Sequence, residues 1–152
     1  MAARALWFGR SMKSLATIGR VARLERSRKR LVARAALALT AASVAVACLP
    51  FRRAIALGSA PLAGKPDGTS SDDVVWAIRA WSRRMPWRTK CIEQGIAAQR
   101  LLRKAGIDAR LHYGARNRGT GPLEAHVWVT VGGKAVIGGE EAGDFAEIAS
   151  YP

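Results

Sequence analysis

The glycine pair Gly132-Gly133 constrains this chain most. It separates two short segments that read as strands, Ala125 to Val131 and Lys134 to Ile137. A two-residue connection with glycine at both positions is the kind that closes an antiparallel hairpin. Ahead of it, Ile107, Ala109, Leu111 and Tyr113 alternate with Asp108, Arg110 and His112, which predicts a further strand. Before that, Ile92, Ile96, Leu101, Leu102 and Ala105 lie on one face of a helix that begins at Cys91 and closes at Gly106. A helix followed by a run of neighbouring strands places the chain in the α+β class, with a small antiparallel sheet.

An earlier helix is signalled by Ser70-Ser71-Asp72-Asp73, a capping box with Ser70 as the cap. Val74, Ile78, Trp81 and Met85 then form one stripe, and Pro86 ends it. Helical character also runs from Arg28 to Leu49, where Pro50 stops it. These signals divide the chain into four parts: a basic, poorly ordered arm over 1–27, a helical segment over 28–57, a linker over 58–69, and a core over 70–152. Gly138 to Glu141 ends the regular pattern, and the last ten residues carry no assignable element.

With 152 residues the chain fits one domain and an arm. Two cysteines cannot build a disulfide framework, so the thiols are expected reduced and the protein cytoplasmic. Residues 1–53 hold 12 of the 25 Lys and Arg against one acid, Glu25. Such an arm suits nucleic acid, anionic lipid or an acidic protein, or serves only solubility. The apolar run Ala35 to Phe51 falls short of the roughly 20 residues a spanning helix needs. It reads as a buried or partner-facing helix. Weak membrane contact is the next reading and export the last, since Arg52 and Arg53 would follow at once on the exported side.

Cys91 and His126 carry the candidate chemistry. A cysteine nucleophile needs activation. A helix N-terminus favours negative charge and so the thiolate of a cysteine placed there. An imidazole can hold the ion pair and then protonate a leaving amine. The order Cys, helix, strands, His is that of papain-like and transglutaminase-like folds. Against this stand the readings of Cys91 as a small buried residue and His126 as an ordinary strand histidine. Cys48 reads as structural, and His112 lies on the polar side of its strand. Cys91, His112 and His126 lack any short ligand spacing, so no metal and no cofactor are expected. Trp128, two residues past His126, lies on its face as a shield for the ion pair or as plain core. Gln94, Gln99 and the Cys91 backbone N–H are candidate oxyanion donors, the last being the best placed.

The stretch from Cys91 to Gly106, then Leu111-His-Tyr-Gly-Ala115, then Ala125-His-Val-Trp-Val129 and Gly133, resembles the lasso-peptide maturation proteases. These are small transglutaminase-like B-proteins that remove the leader from a lasso precursor. The arginine-rich helix ending Leu49-Pro-Phe-Arg-Arg53, and Ile78-Arg-Ala-Trp81 followed by Pro86, are similar to the family's front end. The resemblance spans roughly residues 28–140 and implies a transglutaminase-like (papain-like) core acting as a cysteine peptidase. It makes Cys91 the nucleophile and His126 the general base and acid. The family's third member is an Asp about a dozen residues past the His, where this chain has Gly138. Glu140 is the first substitute, with Asp144 or Glu141 as others, or a backbone or water partner in place of a carboxylate.

The resemblance also implies partners: the precursor peptide, a separate leader-binding protein, and a lasso cyclase that takes the new N-terminus. Nucleic acid is not expected among them. Two other readings stand beside the peptidase. One is a transglutaminase-type acyl transferase using the same Cys and His. The other is a non-enzymatic basic adaptor at a membrane or nucleic acid, with Cys91 inert.

Overall fold

The structure, a computed structural model, describes residues 26–63, 66–117, 119 and 121–152. The arm expected over 1–27 lies outside the described residues but for Arg26 and Ser27. The chain divides into two compact units, Met1–Leu31 and Val32–Pro152. Among the described residues the fold is α+β, with four α-helices and one four-stranded antiparallel sheet.

Helix α1 spans Arg26–Cys48, and α2 spans Phe51–Ala56. Pro50 separates them, since it cannot continue α1, and serves as the extended N-cap of α2. At 23 residues, α1 is long and apolar enough by length and composition to cross a membrane. One face of it is buried nonetheless: Ala35, Leu39, Ala42 and Ala45 are almost wholly covered.

Helix α3 spans Ser71–Ser82, and Ser70 Oγ accepts from the Asp73 N–H at 3.1 Å, as its capping box predicts. It ends four residues before Pro86, in a turn where the Met85 N–H bonds to Trp81 O. Pro86 disfavours helical backbone at Met85, so the helix unwinds ahead of it. Val74, Ala77 and Ile78 are its buried face.

Helix α4 spans Cys91–Lys104. Its C-terminus is a Schellman motif: the Ile107 N–H bonds to Leu102 O and the Gly106 N–H to Arg103 O. Gly106 takes φ +80°, which glycine tolerates best. Because Ile107 belongs to this cap, the first strand starts two residues later than the alternation predicts.

Strand β1 spans Ala109–Arg116, β2 Glu124–Val131, β3 Lys134–Ile137 and β4 Ala146–Tyr151, in the order β3-β2-β1-β4. Gly132 and Gly133 hold φ +56° and +79° and close β2 onto β3, with Val131 opposite Lys134. A bulge follows between Val129 and Thr130, so Val129 pairs with Ile137. β4 is an edge strand on β1, with most of its residues exposed, so its burial leaves little hydrophobic pattern.

The core lies between α4 and the sheet. Ile96, Ala98 and Leu102 of α4 and Leu111, Val127 and Val129 of the strands are buried there. At Gly95 the layers approach closely: a Cβ on it would lie 2.7 Å from Val127 Cγ1. Gln99 is fully buried and donates to Tyr151 O at 2.9 Å, fastening α4 to the edge strand.

The 58–69 segment carries no helix or strand among its described residues, yet it is fastened down. The Ala63 N–H bonds to Arg103 O at 3.0 Å, Arg103 Nε donates to Ala60 O at 2.6 Å, and Arg100 donates to Leu57 O at 2.9 Å. Further on, Asp67 accepts from the Thr69 N–H at 3.0 Å and from Arg34 at 3.3 Å. Those bonds, Thr69 first, hold its carboxyl below the usual carboxylate range.

Candidate active site

Cys91 is the first residue of α4, and its N-cap, Lys90, is extended. The Glu93 carboxylate accepts the Lys90 N–H at 2.6 Å, which is half of a capping box; the Lys90 ammonium has no lone pair to return the bond. The N–H groups of the first turn have no intrahelical acceptor, as at any helix start. The Cys91 thiol is free and half-buried. Gln94 donates its amide back to Thr89 O at 3.2 Å, bracing the loop that delivers the cysteine.

His126 lies on β2 opposite Gly114 and is 9% exposed. Its Nε2 is 2.7 Å from the carbonyl oxygen of Gly138. A carbonyl only accepts, so Nε2 carries the proton and Nδ1 is the basic nitrogen. Among the described residues Nδ1 has no hydrogen-bond partner, and it is not sealed from solvent. Trp128 stacks against the ring with centroids 6.2 Å apart, and Phe145 tilts against it at 5.0 Å.

One contact relates the two groups. Gly95, one helical turn past Cys91, packs on Val127, one residue past His126. One turn further on, Gln99 of α4 reaches Ala109 O, and Ala109 pairs with Val131 at the far end of β2. The helix therefore points its N-terminus toward the end of β2 that carries His126. Strand alternation turns the His126 ring to the face opposite Val127, among Trp128, Phe145 and Gly138. No hydrogen bond joins the Cys91 thiol to the imidazole.

The three carboxylates considered as orienting groups are engaged or exposed elsewhere. Glu140 pairs with Arg79 at 2.8 Å. Asp144 pairs with Arg116 at 3.1 Å, and that guanidinium also holds Glu124 at 2.6 Å and lies 4.3 Å over the Phe145 ring. Glu141 is exposed in the turn before Ala142. Among the described residues the imidazole's partner is the Gly138 carbonyl and no carboxylate.

A family model described as the transglutaminase-like superfamily matches residues 36–150. The chain belongs to the transglutaminase-like superfamily. That superfamily includes cysteine peptidases and acyltransferases. No curated protein and no solved structure matches the chain. The match begins inside α1 and ends within β4, so most of the helical segment, the 58–69 stretch and the final strand up to Ser150 belong to the transglutaminase-like region.

Within this transglutaminase-like framework several sequence expectations are reassigned. Gln99 is a tie between helix and sheet, because its amide donates to Tyr151 O. The Gln94 amide is occupied by Thr89. Cys48, read as a structural residue, is exposed at the last position of α1. His112 stacks flat on Trp128 at 5.4 Å and bonds to Thr130 Oγ1 at 2.9 Å. Glu147 Oε1 lies 3.1 Å from His112 Nδ1, within ion-pair range but off the angle of a hydrogen bond. Among the described residues no group of three or more His, Cys, Asp and Glu side chains is placed to hold a metal ion.

Sequence reasoning missed the Gly138 carbonyl and Phe145 as neighbours of His126. A main-chain acceptor leaves no mark in the residue types, and Phe145 falls in the stretch without a predicted element.

Proposed function

We propose that this protein is a cysteine peptidase that removes the leader from a ribosomally made lasso-peptide precursor. The observation that supports this best is the seating of Cys91 at the first position of α4, whose N-terminus points toward the end of β2 that carries His126. The superfamily match and the resemblance of the Cys91 and His126 segments to B-proteins give the reaction class.

In this reading the Cys91 thiolate bonds to the scissile carbonyl carbon while first-turn N–H groups receive the developing oxyanion. The C–N bond breaks, and imidazolium 126 gives its proton to the leaving amine. Water then adds to the thioester, releasing the leader and restoring the thiol. The Gly138 carbonyl fixes the tautomer, so Nδ1 is the nitrogen that exchanges the proton. Hydrogen bonds of this kind are often long without substrate and tighten in the complex. Because the imidazole lies on the face of β2 away from α4, the thiol–imidazole contact requires the Cys91 end of the helix to rearrange on binding the precursor. Leader recognition falls to a separate binding protein, and a cyclase takes the new N-terminus. The setting is cytoplasmic.

The test is cleavage of a lasso precursor in the presence of its leader-binding protein. Wild type should release the leader, whereas Cys91→Ala and His126→Ala should not. Undiminished cleavage by either variant removes the assignment. Product mass separates peptidase from acyl transferase: hydrolysis adds water, while transfer to an amine from a glutamine loses ammonia.

A further inference from the structure

We propose that the outward face of α1 is a docking strip for an anionic membrane surface, on which the helix lies without crossing. Seven residues apart on that face, Leu37 is 71% exposed and Val44 57%. Ala33, Ala41 and Ala47 are exposed beside them. The apolar surface continues beyond the helix into Leu49 and Phe51, each 40% exposed. A strip of this kind on a soluble domain marks an interaction surface.

Two observations select the occupant. First, no acidic residue occurs between Glu25 and Asp67, while Arg26, Arg28, Lys29, Arg30, Arg34, Arg52, Arg53 and Lys65 all do. The exposed Arg52 and Arg53, next to Leu49 and Phe51, complement anionic headgroups over acyl chains and repel a second copy of the same face. Second, Trp87 is 41% exposed and donates its indole N–H to Ser43 Oγ at 3.0 Å, next to Val44. Indole rings favour the headgroup level of a bilayer. The opposite face of α1 excludes spanning. Ala35 and Leu39 are fully buried in the domain and would have to be withdrawn from it. Trp87 lies four residues before Cys91, in a loop whose Arg83, Arg84, Arg88 and Lys90 are also exposed. Docking through this strip sets the candidate nucleophile close to the lipid surface.

The test is sedimentation of the full chain with phosphatidylcholine vesicles, with and without phosphatidylglycerol. Binding should require the anionic lipid and weaken as salt rises. The double variant Leu37→Gln, Val44→Gln leaves every charge in place and alters only exposed side chains. It should bind on the order of tenfold more weakly. Equal binding by wild type and double variant overturns the proposal, because the basic residues alone would then account for it. So does an absence of vesicle binding, or self-association in solution that the double variant abolishes.

Discussion

The Nε2 of His126 and the carbonyl oxygen of Gly138 are 2.7 Å apart, so a main-chain group holds the imidazole where the resembling family uses an Asp side chain. The backbone explains the exchange. Gly138 has φ +68°, and a Cβ there would lie 2.6 Å from Val127 O and 3.3 Å from His126 Nε2. Gly138→Asp is therefore expected to displace the carbonyl from the ring and not to rebuild a triad. Left-handed backbone costs a non-glycine residue about 1–2 kcal/mol before the clash is counted. Both Gly138→Asp and Gly138→Ala should lower the melting temperature and slow cleavage. A Gly138→Asp protein with wild-type stability and faster cleavage would show that the carboxylate site is open after all.

Glu140 was the first carboxylate expected beside His126, and the bulge at Val129/Thr130 does shift the register of β3 by one residue. The strand ends at Ile137, however, and the Glu140 side chain goes to Arg79. Both partners are well exposed, and such surface pairs contribute roughly 0–1 kcal/mol. Glu140→Gln should leave precursor cleavage within about twofold of wild type and stability within that range. A large loss of activity with an unchanged melting temperature would return Glu140 to the reaction.

If His126 acts on Cys91, the reactivity of the thiol reports it without any substrate. Cys48 is exposed and would also label, so the measurement belongs in a Cys48→Ser background. Iodoacetamide should alkylate Cys91 at pH 6 several-fold faster than it does in the same protein carrying His126→Ala. Equal rates would separate the two residues functionally and leave Cys91 as an isolated half-buried thiol.

What the sequence made legible were the features written in local chemistry. Ser70 and Asp73 announce their cap, Gly106 its Schellman turn, and Gly132-Gly133 its hairpin, because each backbone conformation favours particular residue types. Cys91 at a helix start was legible for the same reason. The partner of His126 was not, since a carbonyl oxygen belongs to every residue alike. β4 was hidden because an exposed edge strand such as Ala146–Tyr151 needs little apolar alternation. The 58–69 segment looked like a linker from its Gly and Pro content. Its attachment comes through main-chain groups and the distant Arg100 and Arg103, which composition does not reveal.

Asp67 gives a pH dependence with a definite sign. Its carboxyl is lowered in the folded state, first by the hydrogen bonds from Thr69 and further by Arg34. A depressed carboxylate stabilises the fold above its unfolded-state value, and that contribution is lost as pH falls through the lowered one. Because the group is largely exposed, the contribution is small. Acidification below the usual carboxylate range should therefore destabilise wild type slightly more than Asp67→Asn, measured as the fall in melting temperature from neutral to acid pH. Identical acid sensitivity of the two proteins would mean that the contact is without weight in solution.

Gly95 tests whether the spacing of α4 from the sheet governs the candidate site. By helix propensity alone, Gly95→Ala should stabilise by about 1 kcal/mol. The new methyl, however, meets Val127 Cγ1 at 2.7 Å and Leu111 Cδ1 at 3.5 Å, and both of those side chains are buried. Overpacking of this kind costs about 1–3 kcal/mol, so the balance falls on the destabilising side. The helix can relieve the contact only by moving off β2, which carries Cys91 away from the end of the strand that holds His126. Gly95→Ala should accordingly lower the melting temperature modestly and cleavage more severely. Gly143→Ala, with open space around it, should leave both within error. Full activity in Gly95→Ala would mean that the reaction does not depend on how closely α4 sits on β2, and with that the structural support for pairing Cys91 with His126 would go.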